Sequence, residues 1–423
     1  MHDGLLIKLN KTMSKKEIVL LVFLVSLVTA MVVYPVALSI ARRFQIVDNP
    51  SARKLQRVPV PVFGGVVVYS GILAGWLVLM LFMESPMLSW GLGFLAVMML
   101  LGTWDDMKDI PATFRFLIEF LLVGAFIAIT GIYIDSLHGL WGVYGLEPWV
   151  GVTLSLVLGV GIINAVNMID GVDGYSSGYG MLFCTCLALL YSQVWAPVIT
   201  CLSVLVIGSI LPFFLHNVFG RKSKMFIGDG GTLMLGMLMV ILSFYVLSSK
   251  YHDMEWLVEK NLGVTAFMLA VGSIPLFDTL RVMLMRVVRG VSPFRADKTH
   301  LHHLFIDMGF SHLGAAFFIL MMNAGVVLVW LLAWQLGASV DMQMYIVILL
   351  GLGVTFLFYK VMKIQQNGGP LDEDGYPQGT KLWHVMVKLG ESTRRENKPF
   401  WRFMQHLMDG PLMGLPTKRR RHE

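Results

Sequence analysis

The chain has 423 residues, of which 56% are hydrophobic and only 14% charged, and its formal net charge is +6. Soluble globular chains carry about 25% charged residues. This composition, with a mean hydropathy of +0.70, excludes a soluble enzyme or an array of soluble domains. The sequence therefore predicts an all-α, polytopic bundle of membrane helices, with the lipid bilayer as a partner and no nucleic-acid partner.

About eleven apolar runs are long enough to cross a bilayer, which takes roughly 20 helical residues. The first run follows four lysines and could mimic a signal peptide, but it shows no clear cleavage site, so a retained anchor helix is predicted. The expected domains are an N-terminal extramembrane segment (1–17), a transmembrane domain (18–363) and a basic cytoplasmic tail (364–423). The predicted spans are 18–40, 61–83, 87–104, 116–134, 149–165, 178–194, 196–215, 231–248, 262–286, 313–335 and 343–362.

Lysine and arginine residues predict the orientation, because they concentrate in cytoplasmic loops. The loops after spans 1, 3, 7 and 9 are basic, whereas 84–86, 135–148 and 336–342 have no Lys or Arg, and 249–261 has Lys250 and Lys260. Odd-numbered spans are therefore expected to end in the cytoplasm, with the N-terminus outside and the tail inside. The N-terminal lysines argue against this orientation, but the concordant loops outweigh them.

The stretch from Asn164 to Gly174 places two asparagines, two aspartates and two glycines between apolar runs. Asn164 and Asn167 would share a helix face, whereas Asp170 and Asp173 each precede a glycine, which favours turns. Oxygen donors of this kind suit a hard cation such as Mg²⁺. The alternative interpretation is a polar helix cap followed by a turn.

Two further polar clusters fall on the same predicted cytoplasmic face. Asp105 and Asp106 end span 3, and adjacent carboxylates can hold a metal or accept a proton; the alternative is a solvated acidic loop. Arg115 follows, well placed for an anionic group. The glycine-rich turn from Phe226 to Thr232 precedes span 8, where the free N–H groups of a helix N-terminus would favour a phosphate.

Span 9 and the loop after it also carry ionisable residues. Asp278 lies within the span, which makes it a functional hypothesis, although an ion pair with Arg281 would explain it equally well. His300, His302 and His303 suggest zinc, but no cysteine supports such a site and adjacent histidines converge poorly on one ion. With the basic residues beside them, they favour a phosphate-binding loop.

Carboxylates, asparagines, glycine turns and a basic loop on one membrane face predict a Mg²⁺-assisted site for a di- or polyphosphate. A site within the cytoplasmic leaflet implies one lipid substrate and one soluble substrate. The alternative from another class is a transporter, which would distribute charges across the midplane and usually has two related halves.

The chain resembles the polyprenyl-phosphate N-acetylhexosamine-1-phosphate transferases over about residues 40–335, and within them most resembles the bacterial undecaprenyl-phosphate N-acetylglucosamine-1-phosphate branch. The shared motifs, in order, are the pair at Asp105, the Asn-Ala-x-Asn-x-x-Asp-Gly-x-Asp-Gly stretch from Asn164, Phe-x-Gly-Asp from Phe226, Pro-x-x-Asp from Pro275 and His-x-His-His from His300.

The resemblance implies transfer of a sugar phosphate from a UDP-N-acetylhexosamine to undecaprenyl phosphate, releasing UMP, at the cytoplasmic face of the bacterial inner membrane. Its cofactor would be Mg²⁺, with Mn²⁺ as the alternative, and a homodimer is an open option. It implies catalytic roles for Asp105, Asp106, Asp170 and Asp173, metal ligation by Asn167 and Asp229, and substrate contacts from Lys54, Arg57, Arg115, Asn164, Phe226, Asp278, His300, His302 and His303. Within the carboxylate pair, Asp105 would be the best candidate to deprotonate or orient the lipid phosphate, with Asp106 beside it.

Leu301 departs from the three consecutive histidines typical of the branch that uses UDP-N-acetylmuramoyl-pentapeptide. The departure favours a simple amino sugar without excluding other N-acetylhexosamines. The tail lies outside the resemblance, and its segments 382–389 and 400–408 could form short amphipathic helices on an anionic leaflet or remain a loosely ordered basic tail.

Overall fold

The protein is a helical bundle whose helices follow the apolar runs of the sequence. The helices are α1 (Lys15–Arg43), α2 (Gly64–Leu79), α3 (Pro86–Lys108), α4 (Ala112–Thr130), α5 (Pro148–Met168), α6 (Tyr175–Gln193), α7 (Pro197–Phe219), α8 (Gly228–Leu247), α9 (Val264–Val288), α10 (Leu301–Asp307), α11 (His312–Gln335), α12 (Val340–Leu352), α13 (Phe358–Asn367), α14 (Lys381–Ser392) and α15 (Pro399–Met408). This computed structural model describes residues 13–48, 58–108, 110–193, 197–251, 259–293, 298–370, 378–394 and 399–410.

Nine helices in these described ranges are long and apolar enough to cross a membrane, counting α12 and α13 as one. Two predicted spans fall short of this standard: 61–83 corresponds to the 16-residue α2, and 178–194 to α6, which is not among the nine. The last predicted span is interrupted by a π-helical turn, Gly353–Leu357. A membrane bundle is therefore confirmed, while the number of crossings and the orientation of the termini stay predictions.

Several helices begin where a hydroxyl side chain caps them. Ser14 and Glu17 form a reciprocal capping box at the start of α1. Ser311 and Ser339 accept the N–H of a residue in the first turn of α11 and α12, and Thr380 does the same for α14. These side chains satisfy N–H groups that have no partner within the helix.

Helix α8 is the centre of the bundle, and the 18-residue apolar window within it is completely buried. It packs against α2, α3, α5 and α9, while α1 and α6 pack against α7. Glycines allow close approach: an added Cβ on Gly65 would lie 2.6 Å from the backbone nitrogen of Gly231, and one on Gly236 would lie 2.7 Å from the Cα of Ile163. The start of α8 is thereby held between neighbouring helices.

A short antiparallel pair closes one end of the bundle. Strand β1 (Val47–Asp48) pairs with β2 (Val60–Pro61), with Val47 opposite Pro61. Val62 then forms a parallel bridge with Phe226, and the N–H of Phe226 donates to the carbonyl of Pro61 at 2.8 Å. This contact places Phe226, in the segment before α8, next to the strand pair.

Candidate active site

Asp105 is the first carboxylate of the pair at the end of α3, and the structure engages both of its oxygens. Its Oδ2 lies 2.8 Å from Nη1 of Arg115, and its Oδ1 accepts the N–H of Ile110 at 2.8 Å. Arg115 also lies 3.5 Å from Glu119, one helical turn further along α4. The predicted anion contact of Arg115 is therefore occupied by two carboxylates of this chain.

Glu119 extends this network into the bundle and was missed at the sequence level. Its side chain is fully buried, and Asn164 donates to it from α5. The amide of Asn164 also donates to the carbonyl of Val160 at 2.9 Å, so its contacts tie α4 to α5. The available signal was an ionisable residue inside an apolar span.

Asp106 turns the other way and meets the start of α8. Its two oxygens accept the N–H groups of Asp229 at 3.0 Å and Gly230 at 3.1 Å. The N-terminus of α8, predicted to receive a phosphate, thus gives two of its N–H groups to a carboxylate. Gly228 has φ of +73°, and an added Cβ would lie 2.6 Å from Asp106, so this turn requires glycine.

The two predicted metal ligands are brought together. Asn167, at the end of α5, donates from Nδ2 to Oδ1 of Asp229 at 2.7 Å and to Oγ1 of Thr232 at 2.9 Å. The hydrogen bond to Asp229 joins the two side chains directly. The motif of α5 and the motif of α8 therefore form one cluster, as the sequence predicted.

Asp170 and Asp173 lie in the turn between α5 and α6, which confirms the expected turn. Ser176 donates to Asp170 at 2.5 Å. The carboxyl of Asp170 is open to a cavity but enclosed by surrounding protein, and this enclosure raises its pKa to about 7. A proton or a cation would therefore stabilise this group near neutral pH.

Asp173 has two basic partners: Lys224, from the basic loop after predicted span 7, and His312, which no sequence motif singled out. Nζ of Lys224 lies 2.6 Å from Oδ2 of Asp173, and Nδ1 of His312 lies 2.9 Å from the same oxygen. Burial acts to raise the pKa of Asp173, but the hydrogen bond to His312 and the charge of Lys224 outweigh it and hold the pKa below its ordinary value. Asp173 is therefore a charged anchor for a basic pair.

These groups surround a cavity of about 1090 Å³ at the end of the bundle closed by the two strands. Its polar wall combines five aspartates with basic and aromatic side chains. The sequence-predicted residues that line it are Asp106, Asp170, Asp173, Phe226, Asp229 and His303. Further polar residues that line it are Gln45, Asp48, Lys108, Ser176, Asn217, Lys224 and His312.

The remaining predicted residues that the structure describes are not part of the cavity lining. Four of these residues make the contacts given above without lining the cavity: Asp105, Arg115, Asn164 and Asn167. Three others are buried in the bundle: Asp278, His300 and His302. Lys54 and Arg57 lie outside the described residues.

Asp278 organises the histidine loop. Oδ1 accepts from Arg281 at 2.6 Å, and Oδ2 lies 3.0 Å from Nδ1 of His300 and accepts the N–H of Leu301 at 3.2 Å. The structural pair with Arg281 is therefore confirmed, and Arg281 also donates to the carbonyl of Thr299 at 2.6 Å. Asp278 positions the loop that carries His303 to the cavity.

His302 supports the loop from inside. An added Cβ on Gly171 would overlap its ring, so His302 packs directly on the turn after Asp170. Burial and the charges of His303 and His300 hold the pKa of His302 well below its ordinary value. His302 is therefore neutral at pH 7 and acts here as a packing group.

The donor set fits a hard cation rather than zinc. Among the described residues, no group of three or more His, Cys, Asp or Glu side chains converges as a complete metal site. Asp229 and the oxygen of Asn167 offer a partial set, which suits Mg²⁺ because this ion usually takes one or two carboxylates and completes its shell with water and substrate phosphates.

Fold and site together define a polytopic membrane protein with an oxygen-lined, partly basic cavity at one end of its bundle. A family model described as glycosyl transferase family 4 matches residues 88–247. A probable undecaprenyl-phosphate N-acetylglucosaminyl 1-phosphate transferase of Bacillus subtilis strain 168 is 28% identical over 375 residues, covering 88% of this chain and 97% of the relative.

Two enterobacterial relatives are transferases of the same type. The undecaprenyl-phosphate alpha-N-acetylglucosaminyl 1-phosphate transferase of Escherichia coli K12 is 31% identical over 283 residues, covering 65% of this chain and 73% of the relative. The protein of the same name from Yersinia pestis is 29% identical over 280 residues, with the same coverage. The chain belongs to glycosyl transferase family 4.

Proposed function

We propose that this protein transfers N-acetylglucosamine-1-phosphate from UDP-N-acetylglucosamine to undecaprenyl phosphate and releases UMP. The relatives named above are transferases of this type. The observation that carries the proposal is the wall of the cavity, which combines the carboxyl groups of Asp106, Asp170 and Asp229 with the basic side chains of Lys224 and His312. This mixture of acidic and basic side chains suits a metal-assisted exchange between two phosphate groups.

In the proposed reaction, an oxygen of the lipid phosphate attacks the β-phosphorus of the nucleotide sugar. A new P–O bond joins the lipid to the sugar phosphate, the bond from the β-phosphorus to the bridging oxygen breaks, and UMP leaves with that electron pair. Lys224 and His312 would hold the phosphates, since both stand at Asp173 on the cavity wall. The Phe226 ring, which has Lys224 5.5 Å above it, would stack near the uracil.

Mg²⁺ is the proposed cofactor, with Mn²⁺ as a substitute, and Asn167 and Asp229 are its proposed ligands. When bound, such an ion neutralises charge on the phosphates. Asp106 is the better candidate to orient or deprotonate the lipid phosphate, because it lines the cavity, whereas Asp105 is paired with Arg115. A carboxylate has four lone-pair directions, so Asp106 retains acceptor capacity beyond its two N–H donors.

The proposed location is the bacterial inner membrane, with the site at the cytoplasmic face and the protein as a monomer or homodimer. The basic loops of the sequence support this orientation. Undecaprenyl phosphate would enter from the leaflet and the UDP-sugar from the cytoplasm.

The experiment that tests the function is a donor panel with purified protein in nanodiscs that contain undecaprenyl phosphate. UDP-N-acetylglucosamine, other UDP-N-acetylhexosamines and UDP-N-acetylmuramoyl-pentapeptide are supplied one at a time, and lipid products are identified by mass spectrometry. We expect a lipid product only when UDP-N-acetylglucosamine is the donor. A lipid product only with a different donor would change the proposed sugar but keep the proposed reaction. No lipid product with any donor would reject the proposed function.

A further inference from the structure

The loop 220–224 connects α7 to the segment that carries Phe226, and its last residue belongs to the cavity. Nζ of Lys224 lies 2.6 Å from Asp173 and 5.5 Å from the Phe226 ring centre. The position of this loop therefore determines where the cation of Lys224 stands relative to any bound phosphate.

The N–H groups of this loop converge on a carboxylate from the far end of the chain. Asp409 accepts the N–H of Arg221 at 3.1 Å, of Lys222 at 3.0 Å and of Ser223 at 2.8 Å. The hydroxyl of Ser223 also donates to Asp409 at 2.8 Å. Successive N–H groups turned toward one anion form a concave nest, which favours a charged acceptor.

The carbonyl groups of the same loop are held from the opposite end of the sequence. Arg42 of α1 donates to the carbonyl of Lys222, and the hydroxyl of Tyr34 donates to the carbonyl of Ser223 at 2.8 Å. Ser223 is buried, so its backbone N–H needs a partner, and Asp409 is the partner it has. Two distant segments thus fix both sides of the loop.

Helix α15 brings Asp409 to this position. Phe219, at the end of α7, packs against Trp401 with ring centres 4.9 Å apart and against Phe400 at 6.1 Å. Burial acts to raise the pKa of Asp409, but the N–H groups of Lys222 and Ser223 and its other donors hold the pKa below its ordinary value. A charged carboxylate therefore sits in the nest at neutral pH.

We propose that Asp409 is a positioning residue for nucleotide-sugar binding, which acts by holding loop 220–224 so that Lys224 meets the diphosphate of the donor. This inference rests on the proposed function and assigns helix α15 a role in it. Asp229, at the start of α8, is held by Asp106 of α3 and Asn167 of α5 and not by this loop. Loosening the loop should therefore weaken donor binding more than it slows the chemical step.

The test compares Asp409→Asn, Asp409→Glu and the control Glu391→Gln, which removes one carboxylate from the exposed face of α14. KM for the UDP-sugar and kcat are measured separately. We expect Asp409→Asn to raise KM about tenfold, as the loss of one charged acceptor would, with kcat within about twofold of wild type. Asp409→Glu should recover part of the affinity, and Glu391→Gln should match wild type.

A second readout does not depend on activity. Arg221 and Lys222 are exposed, so trypsin reports how firmly the loop is held. Cleavage after these residues should be faster in Asp409→Asn than in Asp409→Glu, and Glu391→Gln should be cleaved at the wild-type rate. Each protein is first shown to be folded by its single symmetric peak in size-exclusion chromatography. Equal cleavage in all four proteins, or an Asp409→Asn KM equal to that of wild type, would overturn the inference. Faster cleavage with no transfer by wild type would instead reject the proposed function while keeping the role of Asp409 in the loop.

Discussion

The backbone of Gly102, on α3, lies directly against the backbone of Asp229, at the start of α8, and a Cβ on Gly102 would overlap the carbonyl group of Asp229. Since all the nearest atoms belong to the backbone, no side-chain rotation can relieve the overlap. The proposed metal ligand Asp229 is thus placed by a helix contact that tolerates no side chain.

Gly102→Ala should therefore displace the start of α8 and greatly reduce transfer activity. The matched control is Gly93→Ala in the same helix, where an added Cβ meets nothing within 4 Å. Because alanine is the better helix former by about 1 kcal/mol, that variant should keep full activity and unfold at the same or a higher temperature. Similar activity in the two variants would contradict the assigned contact.

Arg115 should be more important for folding than for binding. Removing it in Arg115→Met leaves Asp105 and the buried Glu119 without their cation, which should cost about 3 kcal/mol. The double variant Arg115→Met/Glu119→Gln should lose less stability than Arg115→Met, because it carries one unpaired charge fewer. Thermal unfolding in detergent measures both.

The control for this comparison is Lys260→Met, which breaks an exposed pair with Glu259 whose charged atoms are 3.7 Å apart. Exposed pairs contribute little, so the unfolding temperature should hardly change. A double variant less stable than Arg115→Met would show that Arg115 and Glu119 do not depend on each other.

Asp170 should make the stability of the metal-free protein depend on pH. Its folded pKa is raised to about 7, above the ordinary value of 3.8. The proton it binds in the folded state therefore adds stability that is complete below pH 3.8 and is lost as the pH rises through about 7. In Asp170→Asn this contribution cannot titrate.

The unfolding temperature in EDTA, followed from pH 5 to pH 8, tests this expectation. Wild type should lose more stability than Asp170→Asn over that range, and Mg²⁺ should reduce the difference by neutralising the ionised carboxyl. Parallel curves for the two proteins would contradict the raised pKa.

The helices and the turn at Asp170 were predictable because both depend on local sequence. Apolar runs of sufficient length marked the helices, and the glycines after Asp170 and Asp173 marked the turn. For the tail segments 382–389 and 400–408 the sequence left short helices and a loosely ordered tail as alternatives, and the structure has helices α14 and α15 there. Five polar motifs in a fixed order were enough to anticipate that Asp106, Asp229 and His303 would line one cavity.

The contacts that could not be predicted join residues far apart in the chain. Asn164 and Glu119 lie on different helices, and Asp409 meets a loop 186 residues earlier. His312 begins α11, and only the packing of that helix against α6 brings it to Asp173. Spacing along the sequence carries no information on such pairs, because the contact depends on how whole helices pack.

The most direct test of the proposed reaction counts UMP and lipid-linked sugar in the same sample. Wild type and Asp229→Ala are assayed in nanodiscs with undecaprenyl phosphate and UDP-N-acetylglucosamine, with Mg²⁺ or with EDTA. We predict one UMP for each lipid-linked sugar in wild type with Mg²⁺, and a fall of about a hundredfold or more without the metal or in Asp229→Ala. UMP formed without the lipid product, or full transfer by folded Asp229→Ala, would contradict the account.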